Sequence, residues 1–333
     1  MKPVIFGLSG PVLTPDERAF FARVRPAGYI LFRRNVETRA QLSALTDSLR
    51  ELEGREDVAI LVDQEGGRVA RLSPPEWPAF PAGPTFDALY ERAPMSGIEA
   101  ARANGHALGL MLAEVGITVD CHPILDIARP DTTEAIATRA FGREPMRVAA
   151  MGRATLEGLA AGGVVGVVKH MPGHGRALLD SHHDLPTVTA PAAELEADLA
   201  PFRALAHAPM GMTSHIVYQA WDAARPATLS PVVIEEIIRG RIGFDGLLMT
   251  DDIDMKALSG SAGEKAAGAI AAGCDVVLDC WARMPEMEEI AARLDEIAPR
   301  ARDRLDRAMA GRTAPTGEMA ALIDKRDRLL ALA

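Results

Sequence analysis

The chain has 333 residues and a formal net charge of −10 at pH 7, with 48% hydrophobic and 25% charged residues. This composition is typical of a globular protein, and an acidic chain without a basic run is a poor partner for nucleic acid or an anionic membrane. No uncharged apolar segment approaches the roughly 18 residues that span a bilayer. The first residues lack the features of a signal peptide, and the three cysteines lack the paired spacing of a zinc site. We therefore expect a cytoplasmic protein with reduced thiols and with no nucleic-acid or membrane partner.

Short apolar, β-branched segments alternate with helical segments along the whole chain. Predicted strands lie at 4–8, 28–33, 58–63, 117–120, 164–169, 210–214, 246–250 and 274–279. Predicted helices lie at about 15–25, 38–53, 97–115, 144–161, 191–207, 231–240, 262–272 and 284–297. Several of these helices stop at a glycine, the residue favoured there: Gly162, Gly243 and Gly273.

Eight β-then-α units predict an α/β fold, a (β/α)8 TIM-type barrel. We expect residues 1–333 to form this one catalytic domain, with 298–333 as one or two extra C-terminal helices. The alternative, a doubly wound open sheet, normally carries a Gly-rich dinucleotide turn that the sequence lacks. Because one barrel can hold a complete site, we expect a monomer.

Functional residues of such barrels lie at the carboxyl ends of the strands. Carboxylates and cations occur together at these ends, which suits a polyhydroxylated ligand such as a sugar, and neither a P-loop nor a dinucleotide turn is present. The polar ends are Arg33-Arg34-Asn35, Asp63 to Arg68, His122 to Asp126, Lys169-His170, Ser214-His215 and Thr250-Asp251-Asp252. The strand ends therefore favour a polyhydroxylated ligand such as a sugar, and no phosphate cradle is apparent.

The segment 169–184 concentrates histidines and carboxylates after a predicted strand. They could ligate a metal, although Pro172 and Gly173 interrupt the spacing of His170 and His174 and exclude a helical metal motif. A metal-dependent hydrolase stays an alternative.

The carboxylate Asp180 precedes His182 by two residues. It is close enough to hold one ring nitrogen and raise the pKa of the imidazole, as a general acid/base requires. We interpret the adjacent His183 as a solvated loop histidine without a catalytic role.

Two adjacent carboxylates, Asp251 and Asp252, end a strand that has no other charge. Asp251 could also be an N-cap of the following segment. If the strand continues, the two side chains point to opposite faces and do not share a proton. Adjacent carboxylates also occur in hexosaminidases that use the acetamido group of their substrate, so this mechanism stays open.

These motifs together resemble glycoside hydrolase family 3, and within it the single-domain β-N-acetylglucosaminidases of bacterial cell-wall recycling. The resemblance extends over roughly residues 5–300. The segments that carry it include Lys169-His170-Met171-Pro172-Gly173-His174-Gly175, Asp180-Ser181-His182, Gly243-Phe244-Asp245-Gly246, Thr250-Asp251-Asp252, Val62-Asp63-Gln64-Glu65-Gly66-Gly67-Arg68 and Arg139-Ala140-Phe141-Gly142.

The resemblance implies hydrolysis of terminal β-linked N-acetylglucosamine from muropeptides, with retention and without cofactor or metal. It implies that Asp251 is the nucleophile and that His182, held by Asp180, is the acid/base. The implied sugar contacts are Asp63, Arg71, Arg139, Lys169 and His170. A phosphorylase on the same scaffold and a non-catalytic sugar-binding barrel are the further alternatives.

Three positions depart from the pattern of the family. Gln64 stands where many relatives carry histidine, Asp254 stands where serine is common, and 176–179 is an unusual lead into the Asp180 motif. None of them removes a group with an implied catalytic role.

Overall fold

Eight parallel strands close into a barrel in a computed structural model that describes residues 1–181 and 184–333. Neighbouring strands pair in chain order, and the last pairs with the first. The strands are β1 (Lys2–Gly7), β2 (Pro26–Leu31), β3 (Ala59–Val62), β4 (Val119–Asp120), β5 (Val165–Met171), β6 (Met210–Thr213), β7 (Leu247–Asp252) and β8 (Val276–Asp279). The predicted barrel is confirmed, and every pairing between its described strands is parallel.

Helices cover the outside of the barrel. They are α1 (Pro15–Val24), α2 (Arg39–Glu53), α3 (Gly83–Arg92), α4 (Pro94–Glu114), α5 (Glu134–Ala137), α6 (Pro145–Ala161), α7 (Ala192–Ala204), α8 (Ala262–Ala272), α9 (Met284–Arg293), α10 (Pro299–Ala310) and α11 (Met319–Leu330). A further helix, Val233–Ile242, has π-type hydrogen bonding. Among the described residues, none of the helices has the length and apolarity needed to cross a bilayer.

Additional short elements lie above the strand ends. Gln64–Gly66 and Val69–Ala70 form an antiparallel hairpin, while Thr187–Val188 pairs in parallel with Val217–Tyr218. The sequence pattern predicts neither pair, because strands of two or three residues carry no period. It also misses α3, which is separated from α4 only by Ala93.

Alternation of apolar side chains divides the core into two layers. One layer fills the barrel interior and includes Leu61 of β3, Val167 of β5 and Met249 of β7. The intervening residues, such as Val62 and Val168, pack outward against the helices. Because successive side chains of a strand point to opposite faces, the next inward positions beyond the interior layer are Asp63, Lys169 and Asp251.

Capping chemistry explains where individual helices begin and end. Thr14 accepts a hydrogen bond from the backbone of Glu17, whose side chain accepts in return from the backbone of Thr14, so α1 begins with a complete capping box. The helix Val233–Ile242 ends at Gly243, which adopts the left-handed conformation with φ 78°.

The two C-terminal helices predicted over 298–333 are present as α10 and α11. Arg326 of α11 is buried and donates to Asn104 Oδ1 of α4 at 3.1 Å, and Lys325 pairs with Glu99 at 2.6 Å. These contacts fix α11 against the outer helices of the barrel.

Candidate active site

A cavity of about 350 Å³ opens at the carboxyl ends of the strands. Its size falls within the range of ligand pockets. Six of the residues predicted to act on substrate line it, namely Asp63, Arg71, Arg139, Lys169, His170 and Asp251. The structure thus brings together side chains that are up to 188 positions apart, counting from Asp63 to Asp251.

One side of the cavity is formed by a network of ion pairs, called here the charge-paired wall (Asp63, Glu65, Arg71, Arg139 and Lys169), of which all but Glu65 line the cavity. Lys169 Nζ lies 3.0 Å from Asp63 Oδ1 and 2.7 Å from Glu65 Oε1. Arg71 donates to Asp63 at 3.1 Å, and Arg139 donates twice to Glu65, at 2.8 and 2.6 Å. Each buried charge therefore has an opposite partner, which is the condition for keeping charges away from water.

The pKa values in this wall follow from the pairing. Burial alone would lower the pKa of Lys169, but Asp63 and Glu65 raise it well above its ordinary value. Burial likewise opposes ionisation of Glu65, but Arg139 and Lys169 hold its pKa well below the ordinary value. The pKa of Asp63 is lowered in the same way, against burial, by Lys169 and Arg71. All three groups are therefore charged at neutral pH.

The buried carboxylate of Asp126 orients the ring of His170 through a hydrogen bond. His170 Nδ1 lies 2.7 Å from Asp126 Oδ2, while Asp126 Oδ1 accepts from the backbone N–H groups of His170 and His174. Burial would raise the pKa of Asp126, but His170 and the hydrogen bonds lower it, so the carboxylate only accepts. Nδ1 of His170 therefore carries the proton, and Nε2 lies 4.0 Å from Asp251 Oδ2.

The opposite side of the cavity, called here the carboxylate wall, consists of Asp251, Asp252 and Trp281. Asp251 Oδ1 accepts from the backbone N–H of Asp252 at 2.8 Å. Asp252 directs its carboxylate away from Asp251, toward the backbone N–H of Cys280 (3.3 Å) and the indole N–H of Trp281 (3.1 Å). Burial raises the pKa of Asp252 to about 6. The expected opposite orientation of the two side chains agrees with these contacts.

The predicted acid/base pair is described only in part. His182, like His183, lies outside the described residues, and Asp180 is not among the described residues that line the cavity. The segment leading to Asp180 is anchored at its start, where Tyr218 donates to the carbonyl of Gly173 at 2.8 Å and Thr132 donates to that of Gly175 at 2.5 Å.

His174 also lies in this segment, but its ring is buried. Nε2 is 3.2 Å from Ser181 Oγ, and burial lowers the pKa of the imidazole to about 4. The ring is therefore neutral. Within the two described ranges, no group of three His, Cys, Asp or Glu side chains is arranged to hold a metal ion.

Each departure from the family pattern has a structural role. Gln64 is fully buried and bonds the backbone of Arg71 and Leu72 through both atoms of its amide. Asp254 forms an ion pair with Arg283. Arg176 pairs with Asp198 at 2.6 Å and with Glu194 at 3.1 Å.

Sequence reasoning selected neither Glu65 nor Asp126 as a site residue, although both lie in the polar strand ends that it named. Glu65 neutralises Lys169 and Arg139, and Asp126 fixes the His170 ring. It also passed over Trp281, which follows β8 by two positions. The strand-end rule would have found all three.

A parallel barrel whose strand ends carry a cavity of carboxylates and cations defines an enzyme of the (β/α)8 class that acts on a polyhydroxylated substrate. Comparison with known proteins narrows this class. Residues 14–310 match the model of the glycosyl hydrolase family 3 N-terminal domain. A β-hexosaminidase of Bordetella avium is 36% identical over 318 residues, covering 94% of this chain and 89% of the relative. A β-hexosaminidase of Alkalilimnicola ehrlichii is 39% identical over 289 residues, covering 84% and 81%.

Solved structures agree with the sequence relatives. NagZ from Neisseria gonorrhoeae in complex with N-trifluoroacetyl-D-glucosamine superposes with a TM-score of 0.88 at 30% identity, covering 99% of this chain and 98% of that one. The same protein in complex with zinc ion gives a TM-score of 0.86. The chain therefore belongs to glycoside hydrolase family 3, on its NagZ-like β-hexosaminidase branch.

Proposed function

We propose that this glycoside hydrolase is a retaining exo-β-N-acetylglucosaminidase that removes terminal β-linked N-acetylglucosamine from muropeptide fragments. The observation that carries the proposal is the position of Asp251. It lies in the same cavity as Asp63, Arg71 and Lys169, so a sugar bound to these groups is within reach of its carboxylate.

In this mechanism the charge-paired wall binds and Asp251 reacts. Asp63, Arg71 and Lys169 form charge-assisted hydrogen bonds with the hydroxyl groups of the terminal sugar. The carboxylate of Asp251 attacks the anomeric carbon and forms a glycosyl ester, while the bond to the leaving oxygen breaks. His182 protonates that oxygen and later takes a proton from the water that hydrolyses the ester. Asp180 holds the imidazole in position.

A cationic side chain that lines the cavity and forms no ion pair with another described residue supports a substrate that carries a peptide. Arg68 is exposed, lines the cavity, and donates to neutral oxygens, the hydroxyl of Thr138 and the carbonyl of Ala135. A carboxylate of a stem peptide can pair with it. We expect Arg68→Ala to raise KM for a peptide-bearing muropeptide and to leave KM for the peptide-free disaccharide unchanged. An equal change with both would argue against peptide recognition by Arg68.

The donor sugar is tested by release of p-nitrophenol from its β-N-acetylglucosaminide and its β-glucoside, in the presence of a chelator. The proposal predicts fast release from the acetamido sugar and little from the glucoside. Release from the glucoside alone would show that the donor assignment is wrong.

The same assay separates the alternatives. Loss of activity in chelator, restored by zinc or another divalent metal, would favour a metal-dependent hydrolase. The reason for testing zinc is that NagZ from Neisseria gonorrhoeae has been solved in complex with zinc ion. Sugar 1-phosphate formed only when phosphate is present would identify a phosphorylase.

We also propose that the whole chain works as one catalytic domain, as a monomer in the cytoplasm. Contacts of α11 with α4 support one folded unit, and the three cysteines are buried and free, as expected in a reducing compartment. Light scattering after size exclusion and fractionation of the source cells test these points. A stable dimer or an extracytoplasmic location would overturn the respective assignment.

A further inference from the structure

A large apolar side chain remains exposed at the rim of the cavity. Trp281 lies directly beyond β8 and lines the cavity, yet its residue is 56% exposed. The other two tryptophans are less exposed, Trp77 being buried and Trp221 half-buried. An exposed indole at the rim of a pocket is a feature of ligand-binding surfaces.

The indole is held in a fixed orientation by the residue after Asp251. Asp252 accepts from the indole N–H of Trp281 at 3.1 Å and from the backbone N–H of Cys280 at 3.3 Å. The next residue, Ala282, adopts a left-handed conformation with φ 57°, which is unusual for a residue with a Cβ. Such strain is retained where the surrounding structure imposes a particular geometry, as at ligand clamps.

Arg283 holds the loop from its other side. It forms ion pairs with Asp254 and with Glu286 of α9. The loop is thus attached both to the segment after β7 and to the following helix, while more than half of the surface of Trp281 remains open to solvent.

We propose that the indole of Trp281 is a stacking platform for the leaving-group sugar, the ring joined to the terminal N-acetylglucosamine. This proposal rests on the proposed function. The charge-paired wall supplies polar contacts for the terminal sugar, whereas Trp281 offers an apolar face at the rim. The C–H face of a pyranose ring is the complement of such a surface, and an indole with its N–H already bonded loses little freedom on binding.

The test compares two substrates that share the terminal sugar. N-acetyl-β-glucosaminyl azide has a leaving group without a ring, and N,N′-diacetylchitobiose has a sugar as its leaving group. We expect Trp281→Ala to lower kcat/KM for the disaccharide by about tenfold, the upper range of an aromatic contact, and to change that for the azide less than about twofold. Trp281→Phe keeps a flat ring and restores most of the loss, whereas Trp281→Leu does not.

Met95→Ala, at an exposed position at the start of α4, is the matched surface control. Inhibition by free N-acetylglucosamine, which fills only the terminal subsite, remains unchanged in every Trp281 variant. If Trp281→Ala is poorly folded, Trp281→Leu and Trp281→Phe carry the comparison.

If Trp281→Ala lowers kcat/KM equally for both substrates, or for neither, while the wild-type enzyme is active, then Trp281 is not a stacking platform. Wild-type protein that hydrolyses neither substrate would instead overturn the proposed function. The two failures are therefore distinguishable.

Discussion

The carboxylates in the two walls of the cavity have pKa values shifted in opposite directions. In the charge-paired wall, Lys169, Arg71 and Arg139 surround Asp63 and Glu65 and lower their pKa values. Across the cavity, burial outweighs the backbone hydrogen bonds from Asp254 and Cys280 and raises the pKa of Asp252 to about 6. Behind it, burial and then Asp252 raise the pKa of Asp279 to about 7.

In the proposed mechanism this difference separates binding from reaction. A wall whose charges are already paired offers donors and acceptors to a sugar without an uncompensated charge. A carboxylate on the opposite side can direct its charge at the anomeric carbon, where positive charge develops in the transition state. His170 lies between the walls, bonded to Asp126 and 4.0 Å from Asp251.

The largest effect is expected from the carboxylate proposed to react. Asp251→Asn preserves shape but removes the proposed nucleophile, so kcat should fall by about 10³-fold or more while the melting temperature is unchanged. Asp254→Asn is the matched control on the same loop and should retain kcat within about threefold. Comparable losses in the two variants would remove the special role of Asp251.

The proton donor belongs to neither wall, and the proposal assigns it to His182. His182→Ala should lower kcat/KM for the disaccharide by about 10²-fold or more, because a sugar alkoxide needs protonation to leave. The loss with p-nitrophenyl β-N-acetylglucosaminide should be much smaller. His183→Ala serves as the control. Equal losses on both substrates would contradict the acid/base role.

Breaking the charge-paired wall should affect folding as well as binding. Lys169→Met removes the positive charge that Asp63 and Glu65 share. We therefore expect the free energy of unfolding to fall by about 3–5 kcal/mol. Lys325→Met removes a surface pair with Glu99 and should cost at most about 1 kcal/mol in urea unfolding. Equal costs would show that the buried network contributes no more than a surface ion pair.

The carboxylates of the charge-paired wall and the buried carboxyl group of Asp279, next to the carboxylate wall, should give opposite pH dependences of stability. The folded pKa of Asp279, about 7, lies above the unfolded value, so its ionisation lowers stability as pH rises from about 4 to 7. Asp63 and Glu65 have the opposite sign, since their contribution is lost as pH falls through their lowered folded pKa values.

Replacing Asp279 by Asn removes this loss, so the stability of Asp279→Asn relative to wild type should be about 3 kcal/mol more favourable at pH 8 than at pH 4.5. Thermal melts at the two pH values check this. Asp324→Asn, an exposed position on α11, should leave the pH dependence unchanged. A similar change in both variants would mean that Asp279 ionises normally.

The barrel was predictable because its strands are apolar segments separated by helices of ordinary length. Inward positions such as Lys169 and Asp251 follow from counting two residues at a time from the interior layer. Hydrogen-bond partners do not follow in this way. The pairing of Arg139 with Glu65 joins residues 74 positions apart, and no local pattern encodes it.

Arg139 illustrates what the resemblance alone could not supply. It was expected to contact sugar, and it does line the cavity. Its guanidinium nevertheless donates to Glu65 and to the carbonyl of Ala135. Its observed contacts position Glu65, and through it Lys169. The raised pKa of Asp279 could likewise not be predicted from the sequence, because the burial of a carboxyl group depends on the packing of the complete fold.

Covalent trapping of Asp251 tests the central claim most directly. The enzyme is incubated with a 5-fluoro analogue of N-acetylglucosaminyl fluoride, digested, and examined by mass spectrometry. The account predicts a glycosyl adduct on the peptide that contains Asp251, with fragmentation that assigns it to this residue rather than to Asp252. An adduct on another residue, or strong inhibition by a thiazoline analogue with no adduct at all, would contradict it and favour catalysis by the acetamido group of the substrate.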